Sequence, residues 1–148
     1  MERRASRLLE AWKGDRARKP LVLRGARQVG KTWLLQEFGR SHYEHVAYVN
    51  CERDRSVASI FAGDLDPSRI LRGIEIAAAR TITPETTLVI IDEIQEAPPA
   101  LTSLKYFAEE RPDIHLAVAG SLLGVALGND VSFPRRAPCV WTASSMDG

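Results

Sequence analysis

Apolar and polar positions along the chain fall into blocks that switch between the helical and the extended period. Leu8, Leu9 and Trp12 lie at i, i+1 and i+4 of an otherwise charged stretch, which predicts a helix over residues 2–13 with one apolar face. Gly14 is a stop signal, and a basic loop leads to Pro20. The run Pro20-Leu21-Val22-Leu23-Arg24 predicts a buried strand, Thr32–Phe38 a helix, and His45–Asn50 a second strand. Two helices follow, over Arg53–Ala62 and Ser68–Arg80. The second is entered through Asp66-Pro67 and carries Ile70, Leu71, Ile74, Ala77 and Ala78. Thr87–Ile91 reads as a third strand, and Pro98-Pro99 opens a helix with Leu101, Leu104, Phe107 and Ala108, ending near Arg111. Ile114–Ala119 is a fourth strand and Ser121–Leu127 a short last helix. Strands alternating with helices predict an α/β fold, a parallel sheet with helices on both faces.

The first strand and the helix after it bracket Gly25-Ala26-Arg27-Gln28-Val29-Gly30-Lys31-Thr32, which spells the phosphate-binding pattern G-x-x-x-x-G-K-[ST]. Each fixed position has a mechanical reason. The glycines allow a tight turn, so that the amides of Val29 to Thr32 converge into one concave nest. Lys31 brings an ammonium to the β- and γ-phosphates, and the Thr32 hydroxyl is a ligand type for Mg²⁺. The helix that follows presents its positive end to the same place. A glycine-rich turn without a ligand is the plain alternative.

Downstream, the third strand ends in Asp92-Glu93. Parallel α/β sheets bind ligands at the C-terminal ends of their strands. Asp92 there suits a Mg²⁺-holding carboxylate, and Glu93 a base that activates water, which favours hydrolysis over transfer to a bulky acceptor. Alone, the pair could be a solvated acidic turn; the phosphate-loop pattern two β-α units upstream argues otherwise. Ser121 follows Ala119-Gly120 at the end of the fourth strand, on the same edge. It is placed either to contact the γ-phosphate and the attacking water or to cap the Leu122–Leu127 helix, and the two roles are compatible.

A chain of 148 residues suits one domain, and 20 Lys/Arg against 19 Asp/Glu leave it nearly neutral overall. The charge is unevenly spread: residues 1–40 carry a net +7 and residues 41–130 a net −7. Arg24, Arg27 and Lys31 can serve phosphate. Arg3, Arg4, Arg7, Lys13, Arg16, Arg18 and Lys19 fit a solvated helix face better than a nucleic-acid contact, because no aromatic residues interleave them for stacking. No 18-residue apolar run predicts a membrane span, and no apolar core follows the basic N-terminus as in a signal peptide. Cys51 and Cys139 lie far apart, and His42, His45 and His115 form no ligand pattern, so a reduced, cytoplasmic setting without a structural metal is expected.

Taken in order, these segments resemble a family of prokaryotic AAA-type P-loop ATPases of the additional-strand catalytic-glutamate class. The resemblance runs over about residues 3–134: Lys19–Arg24 into Gly25–Thr32, Tyr48-Val49-Asn50, Asp92-Glu93-Ile94-Gln95, Ser103–Phe107, Ala119–Gly124 and Ser132-Phe133-Pro134. It implies ATP and Mg²⁺ bound through Lys31, Thr32 and Asp92, catalysis by Glu93, and γ-phosphate sensing by Ser121.

After Pro134 the likeness stops. Family members continue with Val-Gly, a further apolar strand, helices and a separate C-terminal domain, whereas residues 135–148 show neither period. The resulting expectation is an incomplete ATP-binding domain over 1–134 and a divergent, structureless tail over 135–148, from a frameshift, a truncated frame or a natural minimal protein. With the family's strand order 5-1-4-3-2, a missing fifth strand would leave the phosphate-loop strand as an open edge that invites self-association. Two functions stay open: an ATPase acting on an unknown target, and a non-catalytic nucleotide-binding fragment. The guanine-reading Asn-Lys-x-Asp segment is absent, and nothing marks the acceptor pocket of a small-molecule kinase.

Overall fold

A computed structural model of the chain describes the backbone of residues 2–24, 30–120 and 139–142, and the side chains of residues 6–23 and 30–120. In chain order the elements are α1 (Glu2–Gly14), β1 (Leu21–Arg24), α2 (Lys31–His42), β2 (His45–Asn50), α3 (Arg55–Ile60) and α4 (Pro67–Ala78). Then come β3 (Thr87–Asp92), a 3-10 turn (Ile94–Glu96), α5 (Pro98–Glu110), β4 (His115–Gly120) and β5 (Cys139–Thr142). The strands form one parallel sheet in the order β2-β3-β4-β1-β5.

Every residue of β3 and β4 is buried, because helices cover both faces of the sheet. On one face Val22, Val89, Ile91, Leu116 and Val118 pack with Ile70, Ile74, Leu101, Leu104 and Phe107 from α4 and α5. On the other, Leu21, Leu23, Leu88, Ile90, Ala117 and Ala119 meet Leu9 and Trp12 of α1 and Leu35 and Phe38 of α2. Each fully buried Leu or Ile contributes about 1.5–3 kcal/mol, so the sheet is held mainly by these two layers. Helix α2 lies very close to the sheet: a Cβ on Gly39 would collide with Val46 Cγ2. Local signals set the helix starts. Asp54 caps α3 by accepting from Ser56 N at 2.9 Å, and Asp66 caps α4 by accepting from Arg69 N at 3.3 Å, with Pro67 at the first helical position.

The far end of α1 is tied beneath the N-terminal edge of the sheet. Trp12 Nε1 donates to Lys19 O at 2.7 Å, Lys13 Nζ to His42 O at 2.5 Å, and Arg18 to Pro112 O at 3.2 Å. Under this strap His115, the first residue of β4, is 3% exposed, with Tyr43 Oη 2.6 Å from its Nδ1 and the Trp12 ring edge-on at 5.9 Å. Burial, then the charges of Arg18 and Lys13, push the His115 ring down to about 4. Burial likewise pushes the Tyr43 hydroxyl far up, so it stays protonated.

The expected missing fifth strand is corrected here. Cys139–Thr142 pairs in parallel with β1, Leu21 against Cys139 through Arg24 against Thr142, so β1 has neighbours on both sides and is no sheet edge. The structureless tail is corrected over the same four residues. Cys-Val-Trp-Thr is rich in β-formers but too short to display a period, and the unpaired groups of β1 supply the partner that the sequence pattern could not show. The order is nevertheless the expected 5-1-4-3-2. The α/β expectation of a parallel sheet with helices on both faces holds. Helix α3 is shorter than expected, because the Asp54 cap starts it at Arg55. The Ser121–Leu127 helix and the rest of 135–148 lie outside the described residues.

Candidate nucleotide site

All strands point one way, so one edge of the sheet gathers the ends of β1, β3 and β4. Arg24 is in register with Gly120, so the residues preceding Gly25 and Ser121 in the chain lie side by side. Asn50 of β2 is in register with Asp92 of β3. Gly25, Ala26, Arg27, Gln28, Val29 and Ser121 themselves lie outside the described residues.

Helix α2 starts at this edge. Gly30 precedes it in the left-handed region, φ 76° and ψ 24°, a conformation that costs other residues about 1–2 kcal/mol and glycine nothing. Its carbonyl accepts the first helical bond, from Leu34 N at 2.9 Å. The first turn of α2 holds no acidic side chain, so the positive helix end stays uncompensated from within. Lys31 is 5% exposed, unusual for a lysine. One residue on, Thr32 Oγ1 donates to Asp92 Oδ2 at 2.5 Å. This contact joins the helix after the phosphate-binding pattern to the end of the third strand.

Asp92 is 3% exposed and well bonded. Its Oδ2 accepts a second hydroxyl, Tyr48 Oη, at 2.6 Å, while Oδ1 accepts from Glu93 N at 2.9 Å. Burial, followed by the bond to the Asp92 carboxylate, raises the Tyr48 hydroxyl to about 12, so it remains a donor. The Cys51 thiol is also raised to about 12, first by burial and then by the charges of Asp92, Glu96 and Glu93. Negative potential therefore concentrates at the end of β3. A hard oxygen pair, the Thr32 hydroxyl and the Asp92 carboxylate, sits in that field and suits Mg²⁺, which is typically held by one or two carboxylates together with substrate phosphates and water. Among the described residues no cluster of three or more His, Cys, Asp or Glu could hold a metal by itself.

Glu93 turns sharply away from the strand in the left-handed region, φ 51° and ψ 46°. A non-glycine residue there is strained by about 1–3 kcal/mol, and such strain gathers at functional sites. Its Oε2 accepts from Gln95 Nε2 at 3.2 Å. Of the residues expected at the site, Gly30, Lys31, Thr32, Asp92 and Glu93 thus meet at one edge. Tyr48, Asn50 and Gln95 went unassigned in the sequence. The signal available for them was the position of Tyr48 and Asn50 on one face of a strand ending beside Asp92.

A parallel α/β core with a phosphate-loop pattern after the inner strand β1, opening a helix that bonds to the acidic end of the third strand, defines a nucleotide-binding domain of the P-loop NTPase class. A family model described as "AAA domain" matches residues 17–137, and the chain belongs to that family. It is accordingly a nucleotide-binding, ATPase-type domain. No curated protein matches the sequence. Among solved structures, PCH-2 of C. elegans superposes with a TM-score of 0.46 at 15% identity over 95% of this chain, which spans 40% of that one. Among the described residues no helix is long and apolar enough to cross a membrane.

Proposed function

We propose that the chain binds ATP with Mg²⁺ at this edge and hydrolyses it, coupling turnover to a target or partner module. The observation that carries the reading is the 2.5 Å bond between Thr32 and Asp92, residues sixty positions apart that the fold brings to one point. In this reading the backbone of Gly25–Lys31 (Gly25, Ala26, Arg27, Gln28, Val29, Gly30, Lys31) wraps the phosphates, and the Lys31 ammonium neutralises their outer charge. Thr32 and Asp92 would hold Mg²⁺, which would supply charge neutralisation for the phosphates. The Glu93 carboxylate takes the proton of the attacking water, and Gln95 fixes its orientation. Ser121 orients the γ-phosphate or the water. A reduced, cytoplasmic setting accords with the buried free thiol of Cys51. Self-association or a separate domain would receive the conformational change. A nucleic-acid partner rests only on the basic charge of residues 1–40.

Calorimetric titration with ATP and Mg²⁺ tests the site. Lys31→Ala should weaken binding roughly 10–100-fold, the value of one charge-assisted contact. Glu93→Gln should retain ATP and abolish phosphate release, and Asp92→Asn should remove the Mg²⁺-dependent part of binding. Undiminished affinity in Lys31→Ala would make the loop a structural turn. Binding without turnover in the unaltered chain would leave a non-catalytic nucleotide-binding module.

A further inference from the structure

Strand β2 contributes a side chain to this edge for which the proposed chemistry has no assignment. Tyr48 and Asn50 occupy alternate positions of β2 and so share a face, the one from which Asp92 rises on the neighbouring strand. Tyr48 Oη donates to Asp92 Oδ2 at 2.6 Å, and the same Tyr48 oxygen accepts from Asn50 Nδ2 at 3.2 Å. Asn50 is itself fixed at its other end: its Oδ1 accepts from Glu52 N and Arg53 N, both at 2.9 Å. The ring is supported from below by the α2 face of the sheet, where Tyr48 packs against the cluster containing Leu35 and Phe38.

These contacts set a hierarchy at one oxygen. Asp92 Oδ2 accepts two hydroxyl protons, from Thr32 at 2.5 Å and from Tyr48 at 2.6 Å. The Thr32 hydroxyl is the one the proposed reading turns toward Mg²⁺, and in doing so it ceases to orient the carboxylate. Tyr48 has no such second duty. It is held from behind by Asn50, and it continues to fix the carboxylate plane when Thr32 is engaged elsewhere. We infer that Tyr48, backed by Asn50, is a positioning residue that orients Asp92 for Mg²⁺·ATP, a role that rests on the proposed metal function of Asp92. In this reading it acts through that carboxylate. Groups that orient a metal-binding carboxylate in this way are typically worth 10–100-fold in metal affinity.

Tyr48→Phe removes the hydroxyl and keeps the ring, so packing on β2 is preserved. Affinity for ATP is measured by calorimetry on the full chain, with EDTA and with Mg²⁺ titrated at fixed ATP, for the parent, Tyr48→Phe, Asp92→Asn and the double variant. The expected result is unchanged affinity for metal-free ATP, a Mg²⁺-dependent increment reduced roughly tenfold in Tyr48→Phe, and no further loss when Tyr48→Phe is added to Asp92→Asn. An intact metal-free affinity beside a weakened Mg²⁺-dependent one is the signature of a residue acting through the metal-holding carboxylate, which a merely structural tyrosine would not produce. An increment within twofold of the parent in Tyr48→Phe, while Asp92→Asn abolishes it, overturns the role of Tyr48 alone. An equal loss of metal-free and Mg²⁺-dependent affinity in Tyr48→Phe overturns it as well. If Asp92→Asn leaves the increment intact, the metal function of Asp92 fails, and the role of Tyr48 fails with it.

Discussion

Acid should destabilise this domain through His115. The ring is buried under α1, its Nδ1 meets the Tyr43 hydroxyl, and the charges of Lys13 and Arg18 oppose its protonation. Its ordinary value of 6.5 falls to about 4 in the folded chain, so between those values the unfolded chain holds a proton that the folded chain refuses. Stability is therefore complete above pH 6.5 and lost as pH drops toward 4, by about 1.4 kcal/mol per pH unit and about 3 kcal/mol in all. That is a large share of the roughly 5–15 kcal/mol of a typical domain. By pH 5 about 2 kcal/mol should be gone, a fall in melting temperature of roughly 4–8 °C. Asp64 and Asp113, whose values are lowered by hydrogen bonds from Arg69 and Arg111, act only below this window. Urea unfolding at pH 7.5, 6, 5 and 4.5 checks the slope, with His115→Gln as the comparison because glutamine can accept the Tyr43 hydroxyl without titrating. His115→Gln should start lower and stay nearly flat. The same decline in both proteins would show that another group carries it.

Gly39→Ala should cost about 1–3 kcal/mol by overpacking against Val46, and Val46→Ala should restore part of the loss, as thermal melts of both variants would show. Gly30→Ala should cost about 1–2 kcal/mol through its positive φ and weaken ATP binding as well, to be read by melting and calorimetry. Asp66→Ala should lose about 1 kcal/mol of stability with its α4 cap and leave nucleotide affinity untouched. Deleting residues 139–148 should uncover β1 and increase association, visible by light scattering as larger species than the full chain forms.

Much of this architecture could be read from periodicity, because the buried strands and amphipathic helices are long enough to declare themselves. β2, β3 and β4 fall where their mainly apolar runs lie, and α4 where Asp66-Pro67 announces it. The meeting of Lys31 and Thr32 with Asp92 and Glu93 at one edge could be anticipated, because the pattern demands those residue types at fixed spacing. Cys139–Thr142 was not, since a four-residue strand carries no period and its evidence is the partner it pairs with. Tyr48 was hidden for a different reason. A tyrosine on a half-buried strand reads as packing, and only the register of Asn50 against Asp92 brings its hydroxyl to a carboxylate on another strand. The His115 site needed α1, Tyr43 and β4 to converge, which no local pattern records.

The strand order also sets a timetable for folding. β2, β3 and β4 are consecutive in the chain and adjacent in the sheet, so they can zip together through comparatively short closures. β1 is the first strand made, yet Leu21 must find Ala117 on one side and Cys139 on the other. Its amides should therefore be the last of the sheet to gain protection in pulsed hydrogen exchange during refolding. A nascent chain would hold its phosphate-loop strand in waiting until β4 and β5 had been made.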